Sequence, residues 1–139
     1  MDIVGVGTDL VEVARFERLL RRGGLRFLDR WFRAAEIAYC IAQSDPHRHV
    51  AARFAAKEAV LKSLRLPRPG PARWREIEVT RDVDGLPGVA LHGSMREAAA
   101  AAGVVTVHVS LSHSGTYASA TATAVGRSGG PEPAQPPGS

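Results

Sequence analysis

RFAAKEAVLKSL, from Arg53 to Leu64, holds both lysines of a chain whose other positive charge comes from its sixteen arginines. Lysine differs from arginine in being a compact point charge, with rotating donors and a pKa that burial can move. Lys57 and Lys62 therefore mark two places that call for an ammonium. The alanines at 51, 52, 55, 56 and 59 favour a helix and let it pack closely against its neighbours. On that helix Arg53 and Lys57 stand four residues apart, as do Glu58 and Lys62. One face offers two cations and the next a carboxylate with a cation. A plain surface Glu–Lys pair, worth about 0.3–0.5 kcal/mol, is the competing account of Glu58 and Lys62.

The helix is expected to begin at about His49, after the break SDPH at 44–47, and to end before Pro67, Pro69, Gly70 and Pro71, which forbid helix. Upstream, DIVGVG at 2–7 reads as a short strand whose Gly5 and Gly7 permit close approach of another backbone or a ligand. Val13, Phe16, Leu19 and Leu20 recur at helical spacing between Val11 and Arg22, and Gly23-Gly24 ends that helix. A second helix is expected from Leu28 or Asp29 to Ala42, burying Trp31 or Phe32, Ala35 and Tyr39. Downstream, REIEVTR at 75–81 alternates as a strand, Asp84-Gly85 is a turn, and Val89 to Leu91 returns as a second strand. Ser94 with Glu97 forms a capping box for an alanine helix that Gly103 closes. VVTVHVSLS at 104–112 and ASATATAV at 118–125 are strands joined by the turn HSGTY. Helices and strands segregate more than they alternate. The expected class is α+β, a mainly antiparallel sheet packed against helices. Residues 1–125 form one expected domain, and the Gly-, Pro- and Ser-rich residues 126–139 an expected disordered tail.

No apolar run in the 139 residues approaches the ~18–20 needed to cross a bilayer, so no membrane partner is expected. The start, MDIVGVGTDL, lacks the basic region of a signal peptide. The single cysteine, Cys40, has no internal disulfide partner and sits among apolar residues as an inert thiol, which points to a reducing cytoplasm. The net charge of +4 is concentrated: seven arginines lie between Arg15 and Arg33 against Glu17 and Asp29. Such a patch suits an acidic protein, an anionic small molecule or nucleic acid. Aromatics make up only 6% and do not interleave with the arginines, which argues against nucleic acid.

Two further segments carry chemistry. In GVGTDL (5–10), Asp9 just past a glycine-bearing strand is either a rigidly held metal ligand or the cap of the following helix. The glycines are too few for a dinucleotide fingerprint. Asp9 and Glu58, from different elements, would make a hard oxygen site of the kind magnesium takes, completed by waters and substrate phosphates. In VSLSHSGTYASA (109–120), Ser112, His113 and Ser114 cluster at a strand end where hydroxyls, imidazole and backbone N–H groups suit an anion. Ser112 and His113 do not read as a nucleophile pair, because neighbours on a strand point apart. His47, His49, His92 and His108 show no metal-ligand spacing.

GVGTDL, RFAAKEAVLKSL and VSLSHSGTYASA, in that order in so short a chain, closely resemble the holo-acyl-carrier-protein synthase group of 4′-phosphopantetheinyl transferases. The resemblance covers about residues 2–125. It implies a magnesium-dependent transfer of phosphopantetheine from coenzyme A to a serine of an apo acyl carrier protein, leaving adenosine 3′,5′-bisphosphate. Asp9 and Glu58 would hold magnesium, and Glu58, or a water beside the metal, would accept the serine proton. Lys62 would stabilise or protonate the leaving group. Arg53 and Lys57 would bind phosphates, and Ser112 and His113 would line the coenzyme A pocket. Arg15, Arg18, Arg22 and Arg26 would dock the acidic carrier, chiefly by steering encounter. The resemblance further implies a homotrimer with sites at subunit interfaces. The proline-rich PRPGPARW (67–74) departs from the family pattern. A noncatalytic coenzyme A or carrier-binding module on the same scaffold is the alternative, and intact Asp9, Glu58 and Lys62 argue against it.

Overall fold

The computed structural model describes residues 1–66, 71–127 and 137–138. The chain runs β1 (Asp2–Glu12), α1 (Val13–Trp31), α2 (Ala34–Ile41), α3 (Pro46–Leu64), a 3-10 helix (Pro71–Glu76), β2 (Ile77–Arg81), β3 (Pro87–Leu91), α4 (Gly93–Ala101), β4 (Val104–His113) and β5 (Tyr117–Gly126). A three-stranded antiparallel sheet has the order β1-β5-β4, and β2 and β3 form a separate antiparallel pair. This is the α+β arrangement expected from the segregated elements.

Helix α3 packs against β1 and β5 and is buried nearly all round. Small residues make the close approach possible. Ala118, Ala120, Ala122 and Ala124 are the buried, alternate positions of β5, and Ala55, Ala56 and Ala59 are buried on the helix. At Gly5 and Gly7 the fit is tighter still. An added Cβ would strike the carbonyl oxygens of Ser63 and Ala59 respectively. At the other side of α3 an aromatic cluster ties α1 and the 3-10 helix to it: Phe16 to Phe54 at 5.1 Å, Trp31 to Phe54 at 5.6 Å and Trp31 to Trp74 at 5.4 Å between centroids. Fully burying a ring such as that of Phe16 is worth about 1.5–3 kcal/mol.

Several boundaries differ from expectation for identifiable reasons. Strand β1 continues to Glu12, paired along its length with β5, so Asp9 lies inside the strand opposite Ala120 and does not cap α1. Gly24 (φ 52°, ψ −138°) breaks the first helix as anticipated, yet helix resumes at once and runs to Trp31. The expected Leu28–Ala42 helix is thus divided. Phe32 and Arg33 are extended, and the Glu36 carboxylate accepts the Arg33 N–H at 2.9 Å, starting α2 afresh. Phe32, Glu36 and Cys40 are buried there, while Ala35 is exposed. Helix α3 begins at Pro46, because proline at the first helical position lacks only an N–H that would go unpaired anyway. Pro71, expected to forbid helix, opens the 3-10 segment. Ser94 is not a cap. Its N–H and hydroxyl and the Met95 N–H all donate to Glu76, which closes the start of α4 from outside the helix. Gly126 belongs to β5, and the expected tail from Ser128 to Gln135 and Pro136, with Ser139, lies outside the described residues, as do positions 67–70 of the proline-rich segment.

Candidate active site

Asp9 meets α3 because Gly7 lets β1 lie directly on the helix. The Lys62 ammonium donates to the Thr8 carbonyl at 2.8 Å and lies 3.4 Å from Asp9 Oδ1. Its side chain is 53% exposed and that of Asp9 18%. Glu58 stands one helical turn before Lys62, on the same flank of α3, and is nearly buried. Asp9 and Lys62 are therefore brought together across two elements, with Glu58 beside Lys62 on the helix. Among the described residues no three or more His, Cys, Asp or Glu side chains gather as a metal site. A donor set limited to two carboxylates is what magnesium accepts when waters and substrate phosphates fill its remaining positions. Asp9 and Glu58 fit that chemistry as donor types, and Lys62 adds a positive charge next to Asp9.

A second recess of about 110 Å³ opens where α2, α3, β2 and β4 converge. Arg53 donates to the Val79 carbonyl at 2.7 Å, and its guanidinium lies 4.2 Å from the centre of the Tyr39 ring. Arg81 lies 4.5 Å from the same ring. His49 packs edge-on between Tyr39 at 5.7 Å and His113 at 5.6 Å. Burial, then the His113, Arg81 and Arg53 charges, hold the His49 pKa below its ordinary value. Two guanidiniums make this small recess electropositive and suited to a phosphate, with the two imidazoles beside them as hydrogen-bonding groups. Sequence reasoning found Arg53 and His113 here but missed Tyr39, His49 and Arg81. Ser112 is not brought to this recess. It pairs in register with Ser119 on the opposite face of the sheet, because side chains alternate along β4.

Lys57 requires correction. It was expected to bind phosphate, but it is fully buried and donates to Glu36 Oε1 at 2.9 Å, to the Trp74 carbonyl at 3.0 Å and to the Ile77 carbonyl. All three ammonium protons are thus used inside the fold. Burial pulls its pKa down, and the Glu36 carboxylate opposes that pull. Glu36 was missed. Its signal was an acid set in the apolar run AAEIAYCI. Cys40, on the same helix, is buried with its thiol pushed up to about 11, so it stays protonated and inert.

The arginines at 15, 18, 22 and 26 are exposed along α1. Arg15 lies over Phe16 at 5.6 Å, and Arg18 is 3.9 Å from Glu12. Arg22 and Arg26, with Arg30, rim a shallow groove of about 380 Å³ that also takes in Leu19 and Phe27. The result is an apolar floor with a cationic edge.

Fold and site together define an α+β protein that gathers carboxylates and cations where its sheet meets the central helix. The family description "4′-phosphopantetheinyl transferase superfamily" matches residues 5–122. The holo-[acyl-carrier-protein] synthase of Moorella thermoacetica is 47% identical over 116 residues, covering 84% of this chain and 89% of that protein. Among solved structures, the synthase of Neisseria meningitidis aligns with a TM-score of 0.81 at 28% identity, covering 89% of this chain and 99% of that one. A Bacillus anthracis synthase solved in complex with coenzyme A (3′,5′-ADP) aligns with a TM-score of 0.69 at 30% identity, over 88% and 96% of the two chains. The chain belongs to the 4′-phosphopantetheinyl transferase superfamily, in its holo-acyl-carrier-protein synthase group.

Proposed function

We propose that this protein transfers 4′-phosphopantetheine from coenzyme A to a serine hydroxyl of an apo acyl carrier protein, giving the holo carrier and adenosine 3′,5′-bisphosphate. The observation that carries the reading is the junction of β1 and α3, where Lys62 meets Asp9 with Glu58 one turn away. The serine oxygen forms a bond to the phosphorus bearing the pantetheine arm. The bond from that phosphorus to the oxygen shared with the adenylate phosphate breaks. Glu58 accepts the serine proton, and Lys62 stabilises or protonates the departing phosphate. Magnesium, held by Asp9 and Glu58, would offset the charge of the pyrophosphate. Arg53 and His113, joined by Arg81, offer positive charge to a further phosphate of coenzyme A. Ser112 has no part in that recess.

The exposed arginines 15, 18, 22 and 26 suit the acidic carrier, speeding its encounter more than tightening its grip. The three-stranded sheet carries α3 on one face, and its other face exposes Val6, Leu10 and Tyr117. These exposed apolar side chains, set among threonines and serines on that face, support a homotrimer in which such faces meet. No described helix is long and apolar enough to cross a membrane. The lone buried thiol suits a reducing cytoplasm. The test is intact-mass spectrometry of a panel of apo carrier proteins from fatty-acid, polyketide and peptide synthesis, incubated with the protein, coenzyme A and magnesium. At least one carrier gains a phosphopantetheine. Binding of coenzyme A without any such gain across the panel would replace the enzyme with a binding module.

A further inference from the structure

The electropositive recess is assembled from separate elements: Tyr39 from α2, His49 and Arg53 from α3, Arg81 from β2 and His113 from β4. Something has to hold α2, α3 and β2 at the spacing that places these groups together. The buried pair Glu36–Lys57 spans all three. Glu36 Oε1 accepts the Lys57 ammonium at 2.9 Å and the Arg33 N–H at 2.9 Å, and Oε2 accepts the Val79 N–H at 3.1 Å. Lys57 passes on to the carbonyls of Trp74 and Ile77. Val79 is the hinge of the arrangement. Its N–H goes to Glu36 and its carbonyl takes the Arg53 guanidinium at 2.7 Å. Arg53 lies one turn before Lys57 on α3, and Tyr39 lies one turn after Glu36 on α2, so each half of the pair carries one half of the Arg53–Tyr39 stack.

Stability alone is a poor reason to keep such a pair. Removing two charges from water costs enough that well-packed apolar residues of similar volume are often as good or better. Placing charges and dipoles to fractions of an ångström is what a ligand site asks of the shell behind it. We propose that Glu36 and Lys57 are positioning residues for coenzyme A: their buried ion pair fixes Tyr39, Arg53 and Arg81 in the geometry that grips one of its phosphates. This rests on the transferase reading for the identity of the ligand.

The test uses the full chain, with Lys57→Met and the double variant Glu36→Gln/Lys57→Met. The double variant removes both charges while the glutamine oxygen still accepts from Val79. Each is assayed by transfer kinetics and thermal unfolding, beside Met95→Ala, a buried position on α4 remote from the recess, as a control for general destabilisation. The expected result is a KM for coenzyme A raised about tenfold or more, with kcat within about threefold and the KM for the carrier unchanged. Met95→Ala keeps its coenzyme A KM even where its melting point falls as far. An unchanged coenzyme A KM in the folded variants overturns the proposal, as does a fall in kcat alone. Loss of the fold in both variants overturns it too, since the pair would then be structural. Absence of transfer by the unmodified protein would instead defeat the transferase reading.

Discussion

A single methyl group at Gly7 would separate the two halves of the candidate site. Its Cβ would land on the Ala59 carbonyl oxygen and lie 2.8 Å from the Lys62 Cβ, so β1 would have to lift from α3. Gly7→Ala is expected to cost about 1–3 kcal/mol in thermal unfolding, as overpacked cores do, and to cut turnover by pulling Asp9 from Lys62. A variant as stable and active as the parent would mean that the strand does not set the site. Lys62 makes the complementary case. Its half-exposed ammonium contributes little to the fold, so Lys62→Ala is expected to shift stability by no more than about 0.5 kcal/mol. Its kcat should fall about 10²–10³-fold, as for loss of one group aimed at developing charge. Glu58 and Lys62 stand out in the sequence because helical spacing pairs them, whereas Asp9 reads equally as a helix cap until β1 is seen to run on past it to Glu12, and its partner Lys62 lies on a distant helix. Lys57 was misread. It was expected to bind phosphate because nothing near it in sequence shows its partner: Glu36 lies on another helix, 21 residues earlier.

Elements were legible where their signals are local. The alanine-rich helix, the β-branched β4 and the glycine break at Gly24 all follow from neighbours within a few residues. The errors came from distant partners. The start of α4 was read as a Ser94–Glu97 box, whereas Glu76, eighteen residues before Ser94, supplies the acceptor. That carboxylate is held below its ordinary value of 4.5, first by the Ser94 hydroxyl, against the opposing effect of burial, and then by the backbone N–H groups of Met95 and Ser94 and the Arg73 charge. A carboxyl lowered on folding stabilises the protein fully above its unfolded pKa and loses that contribution as pH falls through its folded value. Glu76→Gln should therefore melt below the parent at pH 7, and the gap should close as pH drops below 4.5. A gap constant with pH would remove Glu76 from the cap.

At the scale of the whole molecule, the sheet is half covered. Val6 and Leu10 on β1 and Tyr117 on β5 share the face away from α3, and all three are at least half exposed. No periodicity in the sequence distinguishes a face destined for solvent from one destined for another copy of the chain, and β1 with its two glycines reads as weak strand either way. Light scattering should return three times the chain mass for the parent. Leu10→Lys, which places a charge on that face without touching the core, should give monomer with little transfer activity. A monomeric parent with full activity would refute the assembly. The account as a whole stands on Asp9 from β1 and Glu58 from α3 acting on one pyrophosphate with Lys62. The most direct measurement is the single-turnover rate of phosphopantetheine transfer by Glu58→Ala, at saturating coenzyme A and magnesium, with folding verified by its melting curve. A loss of about 10³-fold or more is predicted; a folded variant that transfers at the parent rate would contradict the site.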